Sequence, residues 1–379
     1  MYKSVFTSIF CFFFLLQFTA CKEIKKETNY NSKIKSLLNI NYAKGFDFKK
    51  DTLFIKTPYK NSNEDFIYRI QYKKDDGNLS DKNTTTLLVP IEKMVATSTT
   101  HLPMIELLNE ENSLIGFPHT KYVSSEKTRA LIDSGKITEL GKESSLNTEV
   151  LLDLNPELVV GYSVNSINKV FQTIEKAGIP VIQNGDWLEE TPLGRAEWIK
   201  FFGVLFDKSK EADSIFKSIE KSYLEAKEIA LKAKNKPTVL SGAIMSKDIW
   251  NLPAGESFVA TFLNDANLNY LWKDTKGKGS LSLSYESVLE KAQDADFWIA
   301  PGYFSSKEQM LASNKQYKNF KSFKEDNIYT PSTKKGKTGG VIYYELASTR
   351  PDLVLKDIIK ITNPELLPTY TLTFFEKME

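Results

Sequence analysis

Residues 208–234 read KSKEADSIFKSIEKSYLEAKEIALKAK, and their spacing decides the architecture. Ala212, Ile215, Phe216, Ile219, Tyr223, Ala226, Ala230 and Ala233 recur at steps of three and four, which gathers them on one helical face while Lys and Glu fill the other. No Gly or Pro interrupts the run, and Pro237 closes it, because proline lacks an amide donor and restricts the residue before it. At about 1.5 Å per residue such a helix reaches roughly 40 Å, the scale of a small domain. It reads either as a strut between two lobes or as the surface helix of one domain, and the flanking sequence decides between them.

On both sides of this helix the chain alternates in the α/β manner. Before it, Met94–Thr100, Leu114–Phe117, Ile137–Leu140, Leu158–Tyr162 and Ile179–Gln183 read as strands, and Leu102–Asn112, Thr148–Leu154 and Ser166–Ala177 as helices. After it, Thr238–Ile244, Phe297–Ala300 and Asn327–Thr330 read as strands, and Ser257–Asn264 and Tyr285–Ala292 as helices. A closing helix runs to about Ile361, with Thr349 at its N-cap and Pro351 in its first turn. The halves echo one another: Glu149 and Glu286 each open a helix that feeds a buried strand.

Upstream, Thr52–Lys56 and Phe66–Ile70 alternate as strands do and form a strand-rich extension. The N-terminus carries Lys3, then an apolar stretch from Val5 to Phe18, too short to span a bilayer and placed as a secretory signal. It ends Phe18-Thr19-Ala20-Cys21, which resembles a bacterial lipobox, with Phe18 where leucine is usual. Cys21 is then the expected lipidation site, and the polar residues after it a tether. The expected boundaries are 1–20 signal peptide, 21–91 tether and extension, 92–207 N-terminal lobe, 208–234 bridging helix and 235–379 C-terminal lobe. Cys11 lies in the signal, so a mature chain has no disulfide and no thiolate metal site.

Bulk composition excludes several function classes. With 50 Lys and Arg against 48 Asp and Glu, a net charge of +2 gives no footprint for nucleic acid. Two histidines, His101 and His119, are too few for a bare-metal site of zinc or manganese type. Ser98 and Ser124 lie near these histidines, but no Gly-x-Ser-x-Gly elbow accompanies them, and Gly336–Gly340 lacks the order of a phosphate loop, so catalysis is not expected. The remaining alternative is an adhesive surface lipoprotein with no ligand cleft.

The segments TSTTHLPMIELL (97–108), NTEVLLDLNPELVVGY (147–162), PLGRAEWIKFFG (192–203), YESVLEKAQDADFWIAPG (285–302) and RPDLVLKDIIKITNPEL (350–366) follow one another along the chain. In that order they resemble the substrate-binding proteins of ABC importers that serve ferric siderophores, haem and cobalamin. The resemblance covers about residues 92–365. It implies two α/β lobes joined by one rigid helix, with the ligand held between them. It also implies that Glu149 and Glu286 meet arginines on the two permease subunits, a carboxylate–guanidinium pairing that fixes orientation. The expected role is capture of an iron chelate, with cobalamin or haem as the alternative cargo, by a monomer without cofactor or resident metal, anchored in the cell envelope and facing the periplasm or the outer surface.

Ligand contacts are expected from large aromatics on loops, because rings offer apolar area with a polar edge. The candidates are Tyr122, Tyr162, Trp187, Trp250, Tyr303 and Tyr343, with Phe117 and Phe304 beside them. Lys121 and Lys247, with Lys142 and Arg195, are expected to pair with an anionic chelate, although Arg195 also reads as structural, pairing with Glu197 or a neighbour. Tyr343 and Tyr344 read as consecutive strand residues facing opposite ways, which disfavours joint ligation of iron.

Overall fold

A computed structural model describes residues 39–74, 84–143 and 145–379. The expected signal peptide, Cys21 and the expected tether lie outside the described residues.

The first lobe holds a five-stranded parallel sheet in the order Val181–Gln183, Leu158–Gly161, Met94–Ala96, Leu114–Phe117, Thr138–Glu139. Its central strands are buried along their whole length, which fits a parallel sheet covered on both faces and explains why they read as unbroken apolar runs. The second lobe repeats the plan with Asn269–Tyr270, Thr238–Ser241, Phe297–Ile299 and Ile328–Thr330 in parallel, and Glu376–Lys377 antiparallel at the edge.

The extension forms a four-stranded sheet, Phe46–Lys49, Thr52–Ile55, Phe66–Tyr72 and Thr85–Val89. Tyr68, Ile70 and Tyr72 alternate inward and share the core of the first lobe with Trp198 and Phe201, so the extension is a layer of that lobe. Two buried carboxylates tie it down. Glu197 accepts the backbone N–H groups of Asn41, Tyr42 and Ala43 at 2.7 to 3.1 Å and the Lys200 ammonium at 2.9 Å. Glu189 accepts the amides of Lys44 and Gly45 and the Trp198 indole N–H. Arg195 is therefore not the partner of Glu197. It donates instead to the backbone carbonyls of Trp187 and Glu189, and its guanidinium lies 3.7 Å from the Phe258 ring centroid of the other lobe.

The central helix spans Ser209–Ala230, a little shorter than its apolar period implies. Ala212, Phe216 and Ile219 enter the core of the first lobe, whereas Tyr223, Ala226 and Ala230 enter that of the second. One amphipathic face thus serves two cores in succession, which is the physical content of a bridging helix. Burial of each large side chain contributes about 2 kcal/mol. The Tyr223 hydroxyl donates to Asp265 at 2.7 Å and the Ser222 hydroxyl to Asp352 at 2.9 Å, fixing the helix to the second lobe.

Three local expectations change. The closing helix is Pro351–Thr362 with Arg350 at its N-cap, while the Thr349 hydroxyl is buried without a partner; Arg350 pairs with Asp352 instead. Tyr343 and Tyr344 lie on the short helix Ile342–Leu346, not on a strand. The strand at Thr238 ends at Ser241, and Gly242 turns the chain into a separate antiparallel sheet of Ala243–Ser246, Ile249–Pro253 and Ser280–Ser284.

Candidate functional site

Between the lobes lies a cavity of about 530 Å³. Its first-lobe wall is built where parallel strands end. Thr97, Ser98 and Thr99 follow Met94–Ala96, Pro118 and His119 follow Leu114–Phe117, and Tyr162 follows Leu158–Gly161. Ligand sites in α/β sheets form at the carboxyl ends of the strands because the chain leaves the sheet there and its side chains are free to converge. The second-lobe wall comes from Tyr303, after Phe297–Ile299, and from Gly339, Val341 and Tyr344, after Ile328–Thr330.

Four tyrosines face this space: Tyr122, Tyr162, Tyr303 and Tyr344. Tyr303 is 71% exposed, Tyr122 51% and Tyr344 43%, unusual for large rings unless something covers them. The Tyr303 and Tyr344 rings lie 5.8 Å apart, and Tyr122 is 5.5 Å from His119. Burial, then the Glu143 carboxylate, raise the Tyr162 hydroxyl above its ordinary range, so it stays protonated as a donor. Burial likewise raises Tyr344. Beneath the wall, Asp186 accepts the Thr100 hydroxyl at 3.0 Å. His101 is wholly buried against Phe202, and desolvation lowers its pKa, so it remains neutral.

One edge of the cavity is a seam between the lobes. Glu345 of the second lobe, 3% exposed, accepts the backbone N–H groups of Ser124 at 2.7 Å and Ser125 at 2.9 Å in the first. Ser125 caps the helix Glu126–Asp133, so Glu345 also meets the positive end of that helix. Lys337 pairs with Asp133 at 3.0 Å across the same seam. The backbones fit so closely that a Cβ on Gly340 would stand 2.0 Å from the Tyr122 carbonyl oxygen, and one on Gly336 2.5 Å from Ser124 Cα. Desolvation, opposed by the Ser124 and Ser125 amides and aided by Glu106, pushes the Glu345 carboxyl up to about 7.

Of the sequence candidates, Tyr122, Tyr162 and Tyr303 line the cavity, with Phe117 behind them. Trp250 does not: it is fully buried, stacked on Trp298 at 5.1 Å with its indole N–H donating to Ser241, and has no surface for a ligand. Tyr343 packs edge-on against Phe374 and Phe375. Phe304 is half-buried against Tyr317, and Trp187 is half-buried, neither among the lining residues. Lys121 sits 4.9 Å over the Tyr122 ring at the rim, Lys142 is exposed beside Glu143, and Lys247 occupies a left-handed turn at φ 49° away from the cavity lining. Glu143 and Tyr344 escaped the sequence reading as ligand contacts, as did Thr97 and Thr99.

Glu149 and Glu286 are both exposed, each in the first turn of a helix, Thr148–Leu154 and Tyr285–Ala292, that leads into a strand of its own lobe. Among the described residues neither has an ion-pair partner.

The model of the periplasmic binding protein family matches residues 94–334, from the first strand of the lobe sheet to the seam. The chain belongs to the periplasmic binding protein family. Its extension, residues 39–91, lies ahead of the matched region. An uncharacterized lipoprotein of Methanocaldococcus jannaschii is 27% identical over 304 residues, 78% of this chain and 70% of that one. Two solved structures share the fold. One is a possible iron-binding (periplasmic solute-binding) protein of Staphylococcus epidermidis, with TM-score 0.56, 17% identity, and 72% of this chain and 99% of that one covered. The other is a periplasmic heme binding protein of Pseudomonas aeruginosa, with TM-score 0.55, 16% identity, and 76% and 98% covered. Proteins of this family bind solutes and are not enzymes.

Proposed function

We propose that this protein is the lipid-anchored solute-binding component of an ABC importer, capturing a bulky chelate between its lobes and delivering it to a permease. The observation that carries this reading is the interlobe cavity of about 530 Å³ with tyrosines from both lobes turned into it. Exposed rings on facing walls offer flat apolar area and polar edges to a ligand that touches both lobes, which links occupancy to closure. The cargo is an iron chelate of siderophore type, with haem or cobalamin the alternative. The two fold neighbours, one a possible iron-binding protein and one a heme binding protein, support that class.

Glu149 and Glu286 are the docking residues in this reading. One unpaired carboxylate per lobe, at matching places in two similar lobes, gives two directional contacts for guanidinium groups on a two-subunit permease. Cys21 carries the acyl anchor at the envelope, and the Methanocaldococcus relative described as a lipoprotein supports that assignment. Uptake of a radiolabelled iron chelate by cells that depend on this protein tests the whole chain of roles. Glu149→Ala with Glu286→Ala should abolish uptake while the purified variant keeps its chelate affinity within about twofold; unchanged uptake sinks the docking assignment.

A further inference from the structure

The cavity's charge points to its ligand class more sharply than its shape does. Among the described lining residues the one acidic side chain is Glu143, and none is Lys or Arg. None of the cations nearby is among the described lining residues, and Lys142, next to Glu143 in sequence, is exposed. Lys334 donates to the Leu372 carbonyl, Lys337 pairs with Asp133, and Arg195 donates to two backbone carbonyls below the wall. Lys121 rests on Tyr122 at the rim, where the ring face already attracts a cation. Buried Asp186 lies beneath the first-lobe wall, close enough to act on Tyr162, but it also faces the Arg195 guanidinium, which offsets its charge, so Glu143 carries the selection.

Four electron-rich rings around one carboxylate form a cation-attracting enclosure. An anionic ligand entering it would meet Glu143 at short range with no guanidinium or ammonium among the described lining residues, a mismatch that discriminates by repulsion. We infer that the cleft selects a chelate that is uncharged or cationic, with Glu143 as the residue that rejects anionic ones and holds a ligand ammonium or N–H donor. Resting on the chelate-binding reading above, this favours hydroxamate-type complexes and uncharged corrinoids over tris-catecholates and propionate-bearing porphyrins. It also reverses the role of Lys121 and Lys247 expected from sequence.

The test is a titration of residues 22–379 with three ferric complexes that differ in charge: monocationic ferrioxamine B, uncharged ferrichrome and trianionic ferric enterobactin, each against wild type and Glu143→Gln. The wild type should bind ferrioxamine B or ferrichrome at least tenfold more tightly than ferric enterobactin. Glu143→Gln should weaken ferrioxamine B about fivefold, strengthen ferric enterobactin, and leave ferrichrome within about twofold, the scale of one partly exposed charge. Opposite shifts for opposite charges separate charge selection from a loss of fold, which would weaken all three. Tightest binding of ferric enterobactin by the wild type, or parallel losses in the variant, overturns the inference while the chelate-binding reading stands. Failure of all three and of cyanocobalamin to bind overturns that reading, and the inference with it.

Discussion

Replacing Glu345 by Gln removes the buried charge at the seam and keeps the side chain's shape. The Glu345 carboxyl moves from 4.5 to about 7, chiefly by desolvation, and that displacement corresponds to about 3 kcal/mol between its two protonation states. Because the folded value is raised, the folded protein binds this proton more tightly than the unfolded chain does. The resulting stability is complete below the unfolded value of 4.5 and is lost as pH rises through about 7. Wild type therefore carries the cost of a buried carboxylate at pH 8 and sheds it at pH 5. Ser124 and Ser125 each donate to a different carboxylate oxygen, so Gln leaves one amide unmatched at every pH, a constant cost of about 1 kcal/mol. Subtracting wild type from variant cancels the other titrating groups and leaves Glu345. The assay is differential scanning calorimetry at pH 8 and pH 5, and the variant's melting temperature relative to wild type should be about 5 °C more favourable at pH 8, at about 2 °C per kcal/mol for a chain of this size. Equal differences at the two pH values would refute a proton-coupled seam.

Other perturbations have equally definite outcomes. Glu197→Ala strips the acceptor from the backbone N–H groups of three residues and leaves buried Lys200 with only Asp213 and the Asn39 carbonyl, so it should cost about 3 kcal/mol and expose Asn41–Ala43 to rapid hydrogen exchange before the lobes unfold. Gly340→Ala drives a methyl into the Tyr122 carbonyl and should open the seam, read as faster exchange of the Ser124 and Ser125 amides. Trp250→Phe should destabilise the second lobe by about 1–3 kcal/mol, measured by urea denaturation, while leaving chelate affinity unchanged, because the ring lies within the core. Cys21→Ser should shift the protein from the membrane pellet to the supernatant on fractionation.

The lobes were legible in sequence wherever one physical signal dominated. The central helix announced itself because a single apolar stripe had to serve two cores, and Leu158-Val159-Val160 because a strand covered on both faces is apolar throughout. Glu126–Asp133 went unread: its only well-buried residue is Thr128, and its stability comes from Ser125 at the cap and Glu345 across the seam. Tyr343 and Tyr344 looked like a strand because Val341-Ile342-Tyr343-Tyr344 is β-branched and aromatic, and tertiary contacts override that propensity in so short a helix. Trp250 was misplaced because aromatic type alone says nothing of side. The alternation Ile249 exposed, Trp250 buried, Asn251 half-exposed, Leu252 buried assigns it inward once the hairpin is known. Glu143 was hidden in a polar run, and only the convergence of strand ends turns it toward the tyrosines.

The most direct test of binding between the lobes is a tryptophan fluorescence titration of residues 22–379 with ferrichrome, haemin and cyanocobalamin, repeated with Tyr162→Ala and Tyr344→Ala, one substitution on each wall. Saturable one-to-one quenching by one ligand below micromolar concentration, weakened about tenfold or more by either substitution, is the predicted result. Quenching that survives both substitutions, or no quenching by any of the three, would contradict a chelate held in this cavity.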